Sequence, residues 1–302
     1  GRDRGAAACR AARQEALLAR RVRAACDARR ASLARAPRRR LIGPEWLQSR
    51  STGVNVGSIL DWTPASGWRL KAGLFRSSLA FDQDFSNLLL DVQANGRARQ
   101  LVLADPRLFF VSTSGEVRLT RSIGDGPRQH RLRLAVRGRG AYRRFGGSDS
   151  IDLGETTIGT TGTAPRPMFQ FGAQEEDRVR QWTGAIGYEG EWDGVGALSL
   201  GLQKSDYAKR IGLPGFKTAT DATPWLVNAN AALRLGSGTE AYGGFVTGIE
   251  ESGVAPANAI NRNEALPAIL TRQFDAGLRQ KIGPVTLVAG LFQLSKPYFN
   301  LD

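Results

Sequence analysis

From Leu41 onward, polar and apolar residues alternate over runs longer than ordinary strands, which average about five or six residues. Arg131 to Tyr142 places Arg131, Arg133, Ala135, Arg137 and Arg139 on one face and Leu132, Leu134, Val136, Gly138, Gly140 and Tyr142 on the other. Trp182 to Trp192 sets Trp182, Ile186, Tyr188 and Trp192 against Thr183, Ala185, Glu189 and Glu191, with the aromatic residues at the two ends. Trp225 to Leu235 and Thr271 to Ile282 repeat the scheme. Thr239 to Glu250 is Gly-rich and mixed, and Val285 to Leu294 is apolar on both faces. Each run has about the length that a tilted strand needs to cross a bilayer, roughly 9 to 11 residues.

Between these runs the connections alternate in length. Thr63 to Gly67, Gly124 to Pro127, Asp193 to Gly196, Gly236 to Gly238 and Gly283 to Pro284 hold the Gly, Pro and Asp of tight turns. Arg144 to Met168, Lys209 to Thr223 and Glu251 to Leu270 read as long polar loops. Short turns at one end and long loops at the other are what an up-and-down membrane barrel produces. A soluble sandwich or propeller also alternates, yet has no reason to keep that parity. The pattern therefore predicts an all-β, antiparallel, up-and-down transmembrane barrel wall of about twelve strands over residues 41 to 302.

Charge changes little once it is located. The chain carries +14, but residues 1 to 40 hold thirteen arginines against Asp3, Glu15 and Asp27, which leaves +4 for the other 262 residues. Within that head, 6 to 36 is rich in Ala, Leu and Arg without Gly or Pro and is predicted to be a short basic helix. It also fits a transit peptide, a surface-binding helix, a linker or a stretch read in the wrong frame, and Ser32 is its only serine. Both cysteines, Cys9 and Cys26, lie there, so the body is thiol-free. No window approaches 18 consecutive apolar residues, which excludes a membrane-spanning helix and leaves strands open.

Catalytic chemistry is thinly supplied, and the chain is not expected to be an enzyme. His130 is the only histidine and opens an Arg-rich strand beside a tight turn, where a solvated rim position suits it better than a general base. There is no G-x-S-x-G, H-E-x-x-H or P-loop, and two cysteines cannot make a four-ligand zinc site; no cofactor or metal is expected. Glu250 with Glu251, and Glu175, Glu176 and Asp177, sit at strand ends where solvated charge is expected. Gly138-Arg139-Gly140 and Gly159 to Gly162 lack the strand-to-helix step of a phosphate cradle. The constellation with functional content is the ladder Arg131, Arg133, Arg137 and Arg139. Facing a lumen, it would pair with acids of neighbouring strands or a plug, or attract an anionic solute.

Several segments resemble the barrel of TonB-dependent outer-membrane receptors: Arg180 to Gly184 (RQWTG), Gly201 to Tyr207 (GLQKSDY), Pro224 to Asn228 (PWLVN), Ala255 to Gly277 (APANAINRNEALPAILTRQFDAG) and Lys296 to Asp302 (KPYFNLD). The likeness is strongest from 172 to 302, weaker from 41 to 170, and absent from 1 to 40. It implies a 22-stranded barrel filled by an N-terminal plug, seated in the Gram-negative outer membrane, contacting outer-membrane lipid and not nucleic acid. Such a barrel imports a ferric siderophore or similar scarce nutrient with energy from the TonB complex. Plug, TonB-contacting segment and a final strand ending in an aromatic residue are not recognisable, so the chain is expected to be part of a barrel. Two alternatives remain open at this level: a passive porin-like barrel, and a soluble β-protein binding a polyanion through the basic head and the arginine ladder.

Overall fold

A computed structural model describes residues 43–124, 126–160, 164–256 and 258–297. The stretch 1–40, expected to be helical, lies outside the described residues. Among the described residues, thirteen strands form one antiparallel hydrogen-bonded sheet. The chain divides into two compact units.

The larger unit covers 51–81, 107–146 and 173 onward. Its strands are β1 (Arg50–Trp62), the first part of β2 (Trp68–Leu90), β4 (Leu108–Gly124), β5 (Arg128–Phe145), β7 (Glu175–Trp192), β8 (Gly196–Leu213), β9 (Phe216–Ala222), β10 (Trp225–Gly236), β11 (Thr239–Glu250), β12 (Ile269–Ile282) and β13 (Val285–Ser295). They pair in the order β1-β2-β4-β5-β7-β8-β10-β11-β12-β13, with β9 also on β8. All five short connections of the sequence pattern are tight links between consecutive paired strands.

Register fixes the two faces. Arg131 stands opposite Glu189 and Arg137 opposite Thr183, while Leu134 stands opposite Ile186 and Gly138 opposite Trp182. Burial is the reverse of a water-soluble protein: Leu134 and Ile186 are 55% and 53% exposed, whereas Thr183 and Ser205 are 1% and 0% exposed. Leu, Val, Phe and Trp thus cover one face of the wall while Thr, Ser, Lys and Asp are packed on the other. Water would penalise such a wall; hydrocarbon would not. Trp182 and Trp192 bracket the apolar stretch of β7 ten residues apart, about 33 Å along the strand. At a strand tilt of roughly 40°, that separation spans about the 25 Å height of an outer-membrane apolar band.

Two stretches read as loops from sequence contain strands. β8 continues through Lys209 to Leu213, turns at Pro214-Gly215 and returns as β9. Gly215 supplies the φ of +74° that the turn requires. Pro224, which has no amide hydrogen, separates β9 from β10 on their common partner. The polarity of KTATDA hides this strand, because its odd and even positions differ little.

The other case is in the smaller unit, whose described residues fall within 43–50, 82–106 and 147–172. There the end of β2, β3 (Arg97–Asp105) and β6 (Asp149–Thr157) pair in that order. Ala98, Gln100, Val102 and Ala104 alternate as buried residues along β3, and Trp46, Phe85 and Phe169 form an aromatic cluster with centroids 5.7–6.0 Å apart. The exposed side carries the pairs Arg97–Glu155 and Arg99–Asp152. This unit has soluble-type burial.

Aromatic rings fill space over glycines of the wall. A Cβ at Gly138 would lie 2.8 Å from the Trp182 ring, so Gly138 belongs to wall packing. The Tyr242 phenol lies across Gly277 and Gly290, and a Cβ at Gly277 would also collide with the Ala289 carbonyl. In the full-length protein folded in detergent micelles, Gly277→Ala should cost roughly 2 kcal/mol by urea unfolding, whereas Gly184→Ala, with open space above it, stays within about 0.5 kcal/mol. Equal stabilities of the two variants would contradict this packing.

Candidate functional site

The polar face of β5 organises the charges of the larger unit. Arg131 and Arg133 converge on one carboxylate, Glu189 of β7. Arg133 Nη2 donates to Glu189 Oε2 at 2.8 Å, its second nitrogen donates to Oε1, and Arg131 Nη1 is 3.7 Å away. Arg137 reaches across β7 to donate to Gln203 Oε1 of β8 at 2.6 Å and has no carboxylate partner among the described residues. Arg139 donates to Glu251 Oε2 at 3.0 Å. The four ladder arginines therefore share the predicted face, but they do not converge on one point.

A concave hollow of about 250 Å³ lies on this face, lined by Arg118, Arg133 and Arg137 together with the carboxylates of Glu116 and Glu189. Pockets that enclose drug-sized molecules run from about 300 to 1,000 Å³. The hollow is smaller than these and mixed in charge.

The strongest cluster lies one step further along the same face, where the connection after β11 folds back. Lys209 of β8 is 5% exposed, and its ammonium meets Ser252 O at 2.8 Å, Glu251 Oε1 at 3.0 Å and Asp177 Oδ2 at 3.3 Å. Three acceptors match the three protons of an ammonium group. Arg143 completes the set, with nitrogens 3.4 Å from Glu251 and 3.6 Å from Asp177. Burial pushes the Glu251 carboxyl up, but its hydrogen bond to Lys209 and the charges of Lys209, Arg143 and Arg139 outweigh that and hold it below the usual glutamate range. Beside the cluster, the hydroxyl of the 1% exposed Tyr207 and Asp177 Oδ1 have no hydrogen-bond partner among the described residues.

The clamp holds a folded connection. Gly253 and Leu266, and Ala255 with Asn263 and Glu264, bond back to each other. Ser252 Oγ donates to Leu266 O at 2.5 Å, and Thr218 Oγ1 of β9 accepts from Ala265 N at 2.9 Å. Ala255 and Ala265 are buried, while Ile260 at the tip is 91% exposed.

Sequence reasoning placed Glu251 and Asp177 among solvated end charges. Glu250 is indeed exposed and pairs with Lys296, but Glu251 and Asp177 are counter-ions of a buried lysine. Lys209 was hidden by reading its strand as a loop. His130, expected on a solvated rim, is half-buried on the apolar face. Its Nδ1 is 2.9 Å from the Tyr188 hydroxyl, and its ring packs edge-on to Trp192 at 5.7 Å.

Taken together, the inverted burial and the strand order define part of the wall of an outer-membrane type of β-barrel. No protein-family model and no curated protein sequence matches the chain. Solved structures do match it. The ferric-catecholate import receptor Fiu from E. coli K12 superposes with a TM-score of 0.63 at 10% identity, covering 85% of this chain and 42% of Fiu. The pyoverdine outer-membrane receptor FpvA from Pseudomonas aeruginosa PAO1 gives 0.60 at 14%, covering 82% and 36%. The ferric preacinetobactin receptor BauA from Acinetobacter baumannii gives 0.58 at 14%, covering 83% and 38%. The chain thus has the fold of part of these receptors and spans about two fifths of their length.

A clamp of this kind answers to acid in a defined direction. Because the Glu251 carboxyl is held below its ordinary value of 4.5, its contribution is fully present above that pH and is lost as pH falls through the lower folded-state value. Glu251→Gln leaves Lys209 with one carboxylate fewer and should weaken the connection by roughly 3 kcal/mol. Exchange of the Ala255 and Leu266 amides should rise roughly a hundredfold at pH 7, and the variant should lose the acid-induced loosening of the parent. Identical exchange in parent and variant at pH 7 would remove the clamp from the explanation.

Proposed function

We propose that this chain is part of the barrel of a TonB-dependent receptor in the Gram-negative outer membrane, importing a scarce nutrient of the ferric siderophore class. The observation that carries the reading is the inverted wall: exposed Leu, Val and Trp on one face and a buried charge network on the other. The fold shared with Fiu, FpvA and BauA supports a receptor over a passive pore. A soluble polyanion-binding protein would have to leave that apolar face in water.

In this reading the polar face lines the lumen, and the ladder has two roles. Arg131, Arg133, Arg139, Arg143 and Lys209 share three carboxylates, Glu189, Glu251 and Asp177. Most of the ladder is thus structural. Arg137, held by an amide at the hollow, keeps positive charge available to an anionic group of the solute. Energy transfer from the TonB complex would act through a plug contributed by another part of the protein. No bond-making step is assigned to the barrel.

Deleting the full-length gene should abolish uptake of at least one iron-loaded siderophore by iron-starved cells. Arg137→Glu should lower that uptake about tenfold and Arg133→Glu/Arg137→Glu further, with heat-modifiable electrophoretic migration reporting that the barrel still forms. Wild-type uptake in the charge-reversed strains would end the solute-contact role. Unchanged uptake of every siderophore tested after gene deletion would end the iron assignment.

A further inference from the structure

The apolar face of the wall carries a built groove. It runs across β1, β2, β4, β5 and β7, has a volume of about 750 Å³, and is sided by Leu60, Leu74, Val117, Val136 and Trp182. Gly115 and Gly138 face one another on adjacent strands and let the Leu74 side chain and the Trp182 ring lie close against the wall, and Gly140 follows on the same face with open space above it. Toward the long-loop end, the floor continues at Gly140 and Thr113 into a second depression of about 450 Å³, flanked by Arg76 and Arg178.

Guanidinium groups gather at that end. Register sets Arg76, Thr113, Gly140 and Arg180 in one row across β2, β4, β5 and β7. Arg76 donates to Thr113 Oγ1 at 3.0 Å, so its side chain leans toward Gly140. Arg180 is exposed and has no carboxylate partner among the described residues. Arg178 lies over the Tyr142 ring at 5.1 Å and donates to Glu176 at 3.0 Å. Arg180 and Arg178 stand two and four residues beyond Trp182, about 7 and 13 Å along the strand. With Trp182 at the edge of the apolar band, these cations fall at the depth of lipid headgroups.

We propose that this groove binds an anionic, phosphate-bearing membrane lipid. One acyl chain would lie along Leu74, Val117, Val136 and Trp182, and the phosphate would sit over Gly140 between Arg76 and Arg180. The inference rests on the membrane-barrel reading but not on the nature of the transported solute. Apolar burial along the chain supplies affinity, and the arginine pair supplies preference for negative charge. The smallness of Gly140 keeps the way open between the two.

The test is a lipid titration of the full-length protein in detergent micelles, followed by native mass spectrometry. The probes are palmitoyl-oleoyl phosphatidic acid and palmitoyl-oleoyl phosphatidylcholine, with inorganic phosphate as competitor. Phosphatidic acid should be retained at least about tenfold more tightly than phosphatidylcholine, and R76Q/R180Q should erase that preference. G140L should weaken both lipids, since its side chain enters empty space without backbone strain. Phosphate at millimolar concentration should displace neither. An unchanged preference in R76Q/R180Q, or unchanged retention in G140L, overturns the site; displacement by phosphate alone makes it a free-anion site and not a lipid site. Insertion of the protein into phospholipid vesicles is scored in parallel. Insertion without anionic preference rejects this inference alone, and failure to insert rejects the barrel reading with it.

Discussion

Hydrocarbon offers no hydrogen bonds, so a strand that crosses it must give each backbone amide and carbonyl to a neighbouring strand. Long uninterrupted registers such as β5 on β7, which runs from Arg128–Trp192 to Phe145–Glu175, follow from that requirement. So does the division of side chains. With the backbone satisfied inside the sheet, the face toward lipid can be Leu, Val and Trp across the hydrocarbon depth, and the charges at that depth are pushed to the other face. The crowding of Arg131, Arg133, Arg137, Arg139 and Arg143 on β5 is the result. Once collected there, these arginines need counter-ions, and Glu189, Glu251 and Asp177 supply them from β7 and from the connection after β11.

The charge network is thus a consequence of the wall, and it is also what attaches irregular chain to the wall. Lys209 is the key member, because a buried ammonium without its carboxylates would carry a large desolvation penalty. By placing Glu251 at the first residue after β11 and Asp177 near the start of β7, the sequence makes two distant segments meet over one lysine. The hollow between Arg133 and Arg137 also holds Glu116 and Glu189, and Arg137 is the ladder member there that an amide holds in place of a carboxylate.

Much of this was legible before any coordinates. Alternation in Arg131 to Tyr142, Trp182 to Trp192, Trp225 to Leu235 and Thr271 to Ile282 matches β5, β7, β10 and β12, and the five Gly- or Pro-containing turns fall where the strands reverse. What remained hidden is local in cause. β6 and β9 carry Asp, Glu, Thr and Lys on positions where a membrane strand would carry Leu, so they read as loop; β6 belongs to a unit with ordinary burial, and β9 packs onto the end of β8. Thirteen strands appear in place of about twelve for that reason. The ladder's shared face was visible in its spacing. Its partners were not, because Gln203 and Glu251 lie 66 and 112 residues from Arg137 and Arg139 respectively; register across three strands brings in the first, and the connection folding back after β11 brings in the second.

The connection after β11 is tied at its base and free at its tip. Ser252, Gly253, Ala255, Ala265 and Leu266 are fixed by mutual bonds or by Thr218, whereas Ile260 projects almost fully into solvent. A loop built in this way separates the residues that must stay the same from those that need not. Its apex can exchange side chains, or gain and lose residues, without disturbing Lys209 or the strands below. The surface presented outside the membrane can therefore diverge quickly between related organisms while the barrel beneath it keeps one architecture.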